Sequence, residues 1–158
     1  MEKFYIETNE QQIAFGLLLG LNLKNYTIRV AKAMIDDEIE EQFYMNKRKM
    51  ASKKQIELGN KFGLDFTELS LGVASANIKD LMIKLNLENI QEQDIKPGDR
   101  VVSKYDKNKI EYIVSSIGRD GYLYYKKPGS GASARYLIKI NDPYIDRVLK
   151  IIPGKIIY

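Results

Sequence analysis

A repeat with an offset of 43 residues constrains the fold of this chain more than any other feature of its 158 residues. Residues 12–37 align without a gap to residues 55–80 and are identical at ten of the 26 positions. An ungapped match of this kind indicates an internal duplication, and repeated units that cannot bury their apolar faces alone pack against each other. The sequence therefore predicts two helical repeats, residues 8–45 and 51–88, in a helical domain that covers residues 1–94.

Each repeat is predicted to hold two helices, because the same helix signals recur in both. A residue that can cap a helix precedes each apolar stretch, and a glutamine stands three positions after the first cap, as in a capping box. A glycine, which adopts the left-handed conformation without strain, ends each first helix. The predicted caps are Asn9 with Gln12 and Ser52 with Gln55, the glycine stops are Gly20 and Gly63, and the second helices begin after Thr27 and Ser70.

The second helix of each repeat carries an apolar stripe at helical spacing, which neither repeat could bury by itself. Gly16 and Gly59 stand inside the first helices, where glycine destabilises a helix by about 1 kcal/mol relative to alanine. A glycine kept in both repeats predicts that two helix backbones approach closely there. The predicted stripes are Ile28, Ala31, Ile35, Ile39 and Phe43 in the first repeat and Leu71, Ala74, Ile78, Met82 and Leu85 in the second.

The pattern changes from helical to strand-like after a boundary near residues 91–96. The runs "VVSKY", "EYIVSSI", "YLYYKK" and "RYLIKI" are separated by "DKNK", "GRDG" and "PGSGASA", which are typical of turns and loops. Four or five short strands predict a small SH3-like antiparallel β-barrel over residues 95–158. The final "YIDRVLKIIPGKIIY" can add a helical turn and a closing strand, and "KFYIE" near the N-terminus another strand. The predicted fold class is α+β, a duplicated helix-pair bundle followed by this barrel.

Composition excludes several kinds of chemistry. The chain has no histidine and no cysteine, which removes Ser-His-Asp and Cys-His nucleophilic sites and zinc sites built from nitrogen and sulfur ligands. We predict no catalytic residues, no metal site, no cofactor and no enzymatic activity. A metal-dependent nuclease built on Asp80, Asp94 and Lys96 is the disfavoured alternative, because its carboxylates would have to come from neighbouring strands rather than from a helix and a linker.

The sequence also predicts a cytoplasmic protein with no membrane partner. The longest apolar run, "IAFGLLLGL", is far shorter than the ~20 residues of a membrane helix. The first residues, "MEKFYIETNE", carry acids where a signal peptide has basic residues followed by an apolar core.

The charge is divided unevenly along the chain, which predicts two surfaces of opposite sign. The net charge is +4, with 13 basic and 15 acidic residues in residues 1–98 against 12 basic and 6 acidic residues in residues 99–158. The run "DDEIEEQF" is either the solvated face of a helix or a patch that binds an arginine-rich partner surface. The candidate residues of this acidic face are Asp36, Asp37, Glu40 and Glu41.

Tyrosines and cations alternate in the predicted barrel, as in small β-barrels that bind phosphates with cations and stack bases on rings. The alternative is that tyrosine simply favours strands and that some rings point into the core. Tyr122 and Tyr124 are expected on one face and Tyr125 on the other. The candidate residues for binding nucleic acid or a protein partner are Lys104, Tyr105, Arg119, Tyr122, Tyr124, Lys126, Lys127, Arg135 and Tyr136.

Two resemblances bear on function. The phrase Ser52-Lys-Lys-Gln55-Ile56, followed by Gly63-Leu64-Asp65 and by Ala74-Ser-Ala-Asn-Ile78-Lys-Asp80, resembles a short helical module of phage and mobile-element proteins from Gram-positive bacteria. The match covers residues 51–85 and, more weakly, residues 8–43. In its overall make-up and its N-terminal half, the chain also resembles the small anti-CRISPR proteins of the type II class from phages and mobile elements.

The second resemblance implies a non-enzymatic inhibitor that binds an RNA-guided DNA nuclease by direct protein–protein contact in the bacterial host cell. The helical repeats would supply the main contact, and the barrel would touch guide RNA, target DNA or an acidic protein surface. Because the chain is net basic, mimicry of DNA would be confined to the acidic face. The alternative is a phage or plasmid accessory protein that binds nucleic acid in replication, recombination or repression. The sequence leaves the oligomeric state open.

Overall fold

Four helices and five strands make up the part of the chain that the structure describes, residues 7–140 of a computed structural model. The fold class is α+β, as predicted. The chain divides into a helical unit, Met1–Met82, and a sheet unit, Ile83–Tyr158. This division falls within the last helix, whereas the domain boundary predicted near residues 91–96 lies at the end of that helix. The elements are α1 (Glu10–Leu18), α2 (Ile28–Phe43), α3 (Lys53–Lys61), α4 (Leu71–Gln93), β1 (Arg100–Ser103), β2 (Glu111–Ile117), β3 (Tyr122–Tyr125), β4 (Gly131–Ser133), a 3₁₀ helix (Ala134–Tyr136) and β5 (Leu137–Ile140).

The short helices α1 and α3 begin at the predicted caps. The side chain of Asn9 accepts the backbone N–H of Gln12 at 2.8 Å, and the Ser52 hydroxyl oxygen accepts that of Gln55 at 3.2 Å. The Gln55 side chain reaches back to the Ser52 N–H at 3.0 Å and completes a capping box. The capping box predicted at Gln12 does not form, because the oxygen of that side chain accepts the Thr8 hydroxyl instead.

The same two helices end at the predicted glycines. Gly20 and Gly63 have φ values of +83° and +71°, the left-handed conformation that favours glycine. Each glycine lies in a Schellman turn, in which an N–H just beyond the helix bonds to a carbonyl of its last turn. These bonds join Leu21 to Gly16 at 2.8 Å and Leu64 to Gly59 at 2.9 Å.

Gly16 and Gly59 are sites of close packing, but the neighbour differs from the predicted one. A Cβ at Gly16 would lie 2.5 Å from Leu23 Cδ1, and a Cβ at Gly59 would lie 2.7 Å from Phe66 Cδ2. Leu23 and Phe66 are fully or almost fully buried. The prediction that two helix backbones meet at these glycines is wrong, since the space is filled by a side chain from the link that follows each helix.

The long helices α2 and α4 are each capped by groups from both helix pairs. The hydroxyl oxygens of Thr27 and Ser70, the predicted caps, accept the backbone N–H three residues later. The Thr27 hydroxyl donates to Asp80 at 2.6 Å, and the Ser70 hydroxyl donates to Asp37 at 2.5 Å. Thr27 and Ser70 are 43 residues apart, as are Asp37 and Asp80. The contact is therefore reciprocal, with a carboxylate of each long helix bound to the hydroxyl that caps the N-terminus of the other.

Apolar contacts join the same two helices. Val30, Val73 and Ala76 form a buried cluster against which Met34 and Leu69 pack. A second cluster, Leu19, Leu23, Ala31 and Ile35, lies between α1 and α2. The predicted stripe of α2 is thus partly confirmed, but it ends before Phe43, whose side chain is 69% exposed.

The five strands form one antiparallel sheet in the order β4-β3-β2-β1-β5. The register shifts in β2 between Val114 and Ser116, opposite β3. The buried face of the sheet packs against Ile90 near the end of α4. The core of this unit consists of Ile95, Val101, Val114, Leu123, Ala134 and Leu137.

Parts of the strand prediction differ from the structure. The stretch "PGSGASA" was predicted as a loop, yet it contains the short edge strand β4. Within residues 7–140 the sheet is open, with β4 and β5 at its edges, and is not closed into a barrel. The closing strand predicted in "YIDRVLKIIPGKIIY" lies outside the described residues. So does most of "KFYIE", although its last residue, Glu7, makes an isolated antiparallel bridge with Thr27.

Candidate functional site

The nine candidate residues of the sheet unit fall into two groups and one isolated cation, Arg119, in the exposed turn between β2 and β3. The first group surrounds the 3₁₀ helix. Tyr105 and Tyr136 meet edge to face with ring centroids 5.9 Å apart. The Arg135 guanidinium lies 4.3 Å from the centroid of the Tyr136 ring and donates to its hydroxyl at 2.8 Å. Lys104 is placed beside them by a backbone hydrogen bond to Tyr136 at 2.8 Å.

The second group lies along β3 and the turn that follows it. Tyr122 and Tyr124 meet edge to face with centroids 5.0 Å apart, which confirms that they share a face of the strand. Lys126 and Lys127 follow directly and are exposed. The strand order places β2 and β1 between β3 and β5, so the two groups occupy different parts of the sheet.

Tyr125 belongs to the core, as its predicted orientation requires. Its ring stacks on Tyr112 with centroids 4.3 Å apart and an interplanar angle of 9°, and both rings pack against the buried cluster. Burial, with smaller contributions from Tyr112 and Tyr122, raises the pKa of Tyr125 to about 12. The positions of Tyr112 and Tyr125 therefore agree with the alternative in which some tyrosine rings point into the core. By contrast, Tyr105, Tyr124 and Tyr136 are 76%, 49% and 40% exposed.

Ion pairing separates the cations of the sheet unit into two classes. Lys84, Lys96, Arg100 and Lys139 each have a carboxylate partner. In the part of the chain that the structure describes, the other class has no carboxylate partner, and all but Arg135 are exposed. This second class consists of Lys104, Lys107, Arg119, Lys126, Lys127 and Arg135.

Five of these six unpaired cations were predicted as site residues, and Lys107 was missed. It stands in "DKNK", which was interpreted only as a turn between strands. The Asp106 carboxylate in that turn accepts the backbone N–H groups of Asn108 and Ile110, and these bonds lower its pKa. The lysine next to it is left exposed, and its position in a turn three residues after Lys104 was the available signal.

The acidic face of α2 is largely paired within the chain. Asp36 lies 3.0 Å from Lys32, Glu40 accepts the Asn46 side chain at 2.6 Å, and Asp37 binds the Ser70 hydroxyl. Glu41 and Glu38 lie 2.9 and 3.1 Å from Arg48. Partial burial acts to lower the pKa of Arg48, but Glu38, Glu41 and Asp37 outweigh it and raise that pKa. These carboxylates thus have intramolecular partners, which the sequence pattern did not reveal.

No family model, curated protein or solved structure matches this chain. The chemistry of the two units is therefore the guide to function. Among residues 7–140 no group of three acidic side chains is placed to hold a metal ion, and the residues of the nuclease alternative lie apart in separate roles. Asp80 binds the Thr27 hydroxyl, while Asp94 pairs with Lys96 at 3.2 Å. No helix in the described range is both long and apolar enough to cross a bilayer.

Proposed function

We propose that this protein is a non-enzymatic binding protein that contacts nucleic acid through the sheet unit. The observation that carries the proposal is the set of exposed cations without a carboxylate partner, Lys104, Lys107, Arg119, Lys126 and Lys127, in a unit that also exposes the rings of Tyr105, Tyr124 and Tyr136. Unpaired lysine and arginine side chains bind phosphates and release their counterions. Exposed rings supply stacking surfaces for unpaired bases, which favours a single-stranded over a double-stranded ligand.

The separation of paired and unpaired cations supports this proposal further. Arg100 and Lys139 on β1 and β5 are neutralised by Glu111 and Asp99. Among the described residues, no carboxylate neutralises Lys104, Lys107, Arg119, Lys126 or Lys127. Within residues 7–140, the unpaired charge of the sheet unit is mostly positive, and such a surface attracts a polyanion over long distances and loses that attraction as salt rises.

The full-length protein should bind labelled oligo-dT and oligo-U at low salt, as measured by fluorescence anisotropy. Lys126→Gln with Lys127→Gln removes two phosphate contacts and should reduce the slope of log affinity against log salt by about 1.4. Tyr124→Ala should weaken binding by about 1–3 kcal/mol if a base stacks on that ring.

The matched control is Lys53→Gln with Lys54→Gln, which removes two adjacent lysines from α3 in the helical unit. This variant should bind as the unaltered protein does. Absence of binding at low salt, or an equal loss in both double variants, would contradict the proposal.

As a second candidate, we propose that the polyanionic partner is held by a type II CRISPR RNA-guided nuclease, which this protein inhibits by direct contact. The support is the resemblance of the chain to small anti-CRISPR proteins, together with a basic surface suited to guide RNA or target DNA. Excess protein should reduce cleavage of target DNA by type II nucleases from Gram-positive bacteria. Full cleavage by every nuclease tested would remove this candidate and leave the nucleic-acid-binding proposal intact.

Three further inferences concern the origin of the helix pairs, the topology of the sheet and the cellular setting. We infer that α1–α2 and α3–α4 descend from one duplicated module, which the recurring caps, Schellman turns and reciprocal hydroxyl–carboxylate contacts support. We also propose that the open sheet is SH3-like in its topology, supported by an antiparallel meander in which β1 also pairs with β5. The proposed setting is the cytoplasm of a bacterial host cell.

A further inference from the structure

An open groove of about 320 Å³ lies in the helical unit, between the two helix pairs. This volume is near the lower end of the range of ligand sites, roughly 300–1,000 Å³. The walls contain several residues whose counterparts, 43 positions away, stand on the opposite side. Three such pairs are Leu21 and Leu64, Val30 and Val73, and Met34 and Asn77.

The groove presents apolar surface to water. Tyr26 and Leu64 are 42% and 38% exposed at its edge, while Val30 and Val73 are buried beneath it. Covering such surface stabilises a complex by about 25 cal/mol for each Å² removed from water. One bulky side chain that enters between the helix pairs would contact apolar residues of both.

The rim of the groove carries uncompensated negative charge at one end. Among the described residues, neither Asp65 nor Glu68 pairs with a cation, and both are exposed. Hydrogen bonds from the side chain and the backbone of Thr67 lower the pKa of Asp65, so its carboxylate stays ionised. The first helix pair has the neutral residues Asn22 and Asn25 at the corresponding positions.

The other acids of the groove differ from these two. Glu38 pairs with Arg48, and Asp37 accepts the Ser70 hydroxyl. The unpaired charge at the groove is therefore that of Asp65 and Glu68, which repels phosphate and attracts a cation.

We propose that this groove binds a segment of a partner protein in which a bulky apolar side chain stands next to arginine or lysine. The apolar side chain enters between the helix pairs, and the cation reaches Asp65 and Glu68. The site is separate from the nucleic-acid surface proposed above, because all of its residues belong to the helical unit. The proposed peptide binding by the groove can therefore be tested independently of nucleic-acid binding by the sheet unit.

The test uses full-length protein labelled with ¹³C at the methionine methyl groups and two synthetic peptides. Both peptides contain a central Leu-Phe pair, flanked by arginines in one and by glutamates in the other. Met34 lines the groove, whereas Met45 is 88% exposed and is not part of its lining. We expect the arginine peptide to shift the Met34 methyl resonance, to leave that of Met45 unchanged, and to bind roughly tenfold more tightly than the glutamate peptide.

The decisive variant is Asp65→Asn with Glu68→Asn. It places in the second helix pair the asparagines that the first pair has at the corresponding positions. The turn should survive, because Asn22 already accepts the Lys24 N–H at 3.2 Å in the first pair. The variant should bind the arginine peptide about fivefold more weakly. Glu10→Gln with Glu57→Gln removes the same charge outside the groove and should leave binding unchanged.

Three results would overturn the proposal. They are the absence of a Met34 shift with the arginine peptide, equal affinity for the two peptides, and unchanged binding by the asparagine variant. A Met34 shift that depends on protein concentration without any peptide would show that a second copy of the chain occupies the groove, and this also would overturn it.

Discussion

Gly59→Ala is expected to destabilise the helical unit by about 2–3 kcal/mol. The added Cβ would lie 2.7 Å from Phe66 Cδ2 and 2.9 Å from the carbonyl oxygen of Leu64. Phe66 is 3% exposed and has little room to move, and the Leu64 carbonyl belongs to the backbone. Neither neighbour can retreat at low cost, so the clash outweighs the higher helix propensity of alanine. Urea unfolding followed by the circular dichroism of the helices measures the change.

Gly72→Ala provides the matched control, because Gly72 also lies in a helix but has free space around it. A Cβ there would meet only the Asp37 carboxylate, at 3.8 Å, an ordinary contact. Alanine should raise the free energy of unfolding by about 0.5–1 kcal/mol at this position. Equal effects of the two substitutions would show that Gly59 is not held in a close-packed contact.

Asn86→Ala is expected to destabilise the sheet unit by about 2–4 kcal/mol. Asn86 lies in α4 and is 4% exposed. Its amide donates to the Asp120 carbonyl at 3.0 Å, and its oxygen accepts the backbone N–H and the guanidinium of Arg135 at 3.1 and 3.2 Å. Alanine would remove the protein partner of the Asp120 carbonyl and of the Arg135 N–H, and an unpaired polar group costs more than the bond itself contributes.

Two companion substitutions sharpen this test. Asn86→Asp keeps the oxygen that accepts from Arg135 but replaces the donor to the Asp120 carbonyl with a second acceptor, so it should also destabilise the sheet unit. Asn108→Ala changes an exposed asparagine in the turn between β1 and β2 and should change the free energy of unfolding by less than about 0.5 kcal/mol. If Asn86→Ala behaved like Asn108→Ala, the side chain of Asn86 would not be holding α4 against the sheet.

Local signals predicted much of the helical unit. The caps at Asn9 and Ser52 and the stops at Gly20 and Gly63 depend on neighbouring residues, and the structure contains all four. The close packing at Gly59 was predicted as well, but its partner was not, because the sequence does not show which distant or nearby group fills the space. The sequence also did not show that Phe43 is exposed. The apolar spacing of α2 continues to this residue, but no other element of the described chain covers its side chain.

The candidate surfaces were predicted less evenly. In the sheet unit, alternation correctly separated Tyr122 and Tyr124 from Tyr125, because strand geometry alone determines the face. On the acidic face, sequence could not show that Asp37 binds Ser70, a contact between residues 33 positions apart. Arg48 likewise contacts Glu38 and Glu41 only because of the path that the chain takes after α2. The carboxylates of the acidic face, which look free in the sequence, therefore have partners within the folded chain.

The reciprocal caps make each helix pair depend on the other. Thr27 depends on Asp80, and Ser70 depends on Asp37, so a change at any of these four positions affects a helix in the other pair. At other positions the two pairs differ, with Met34 opposite Asn77 and Asn25 opposite Glu68. Related proteins should therefore conserve a hydroxyl residue at the start of both long helices and an aspartate in both, and should vary more at the residues of the groove.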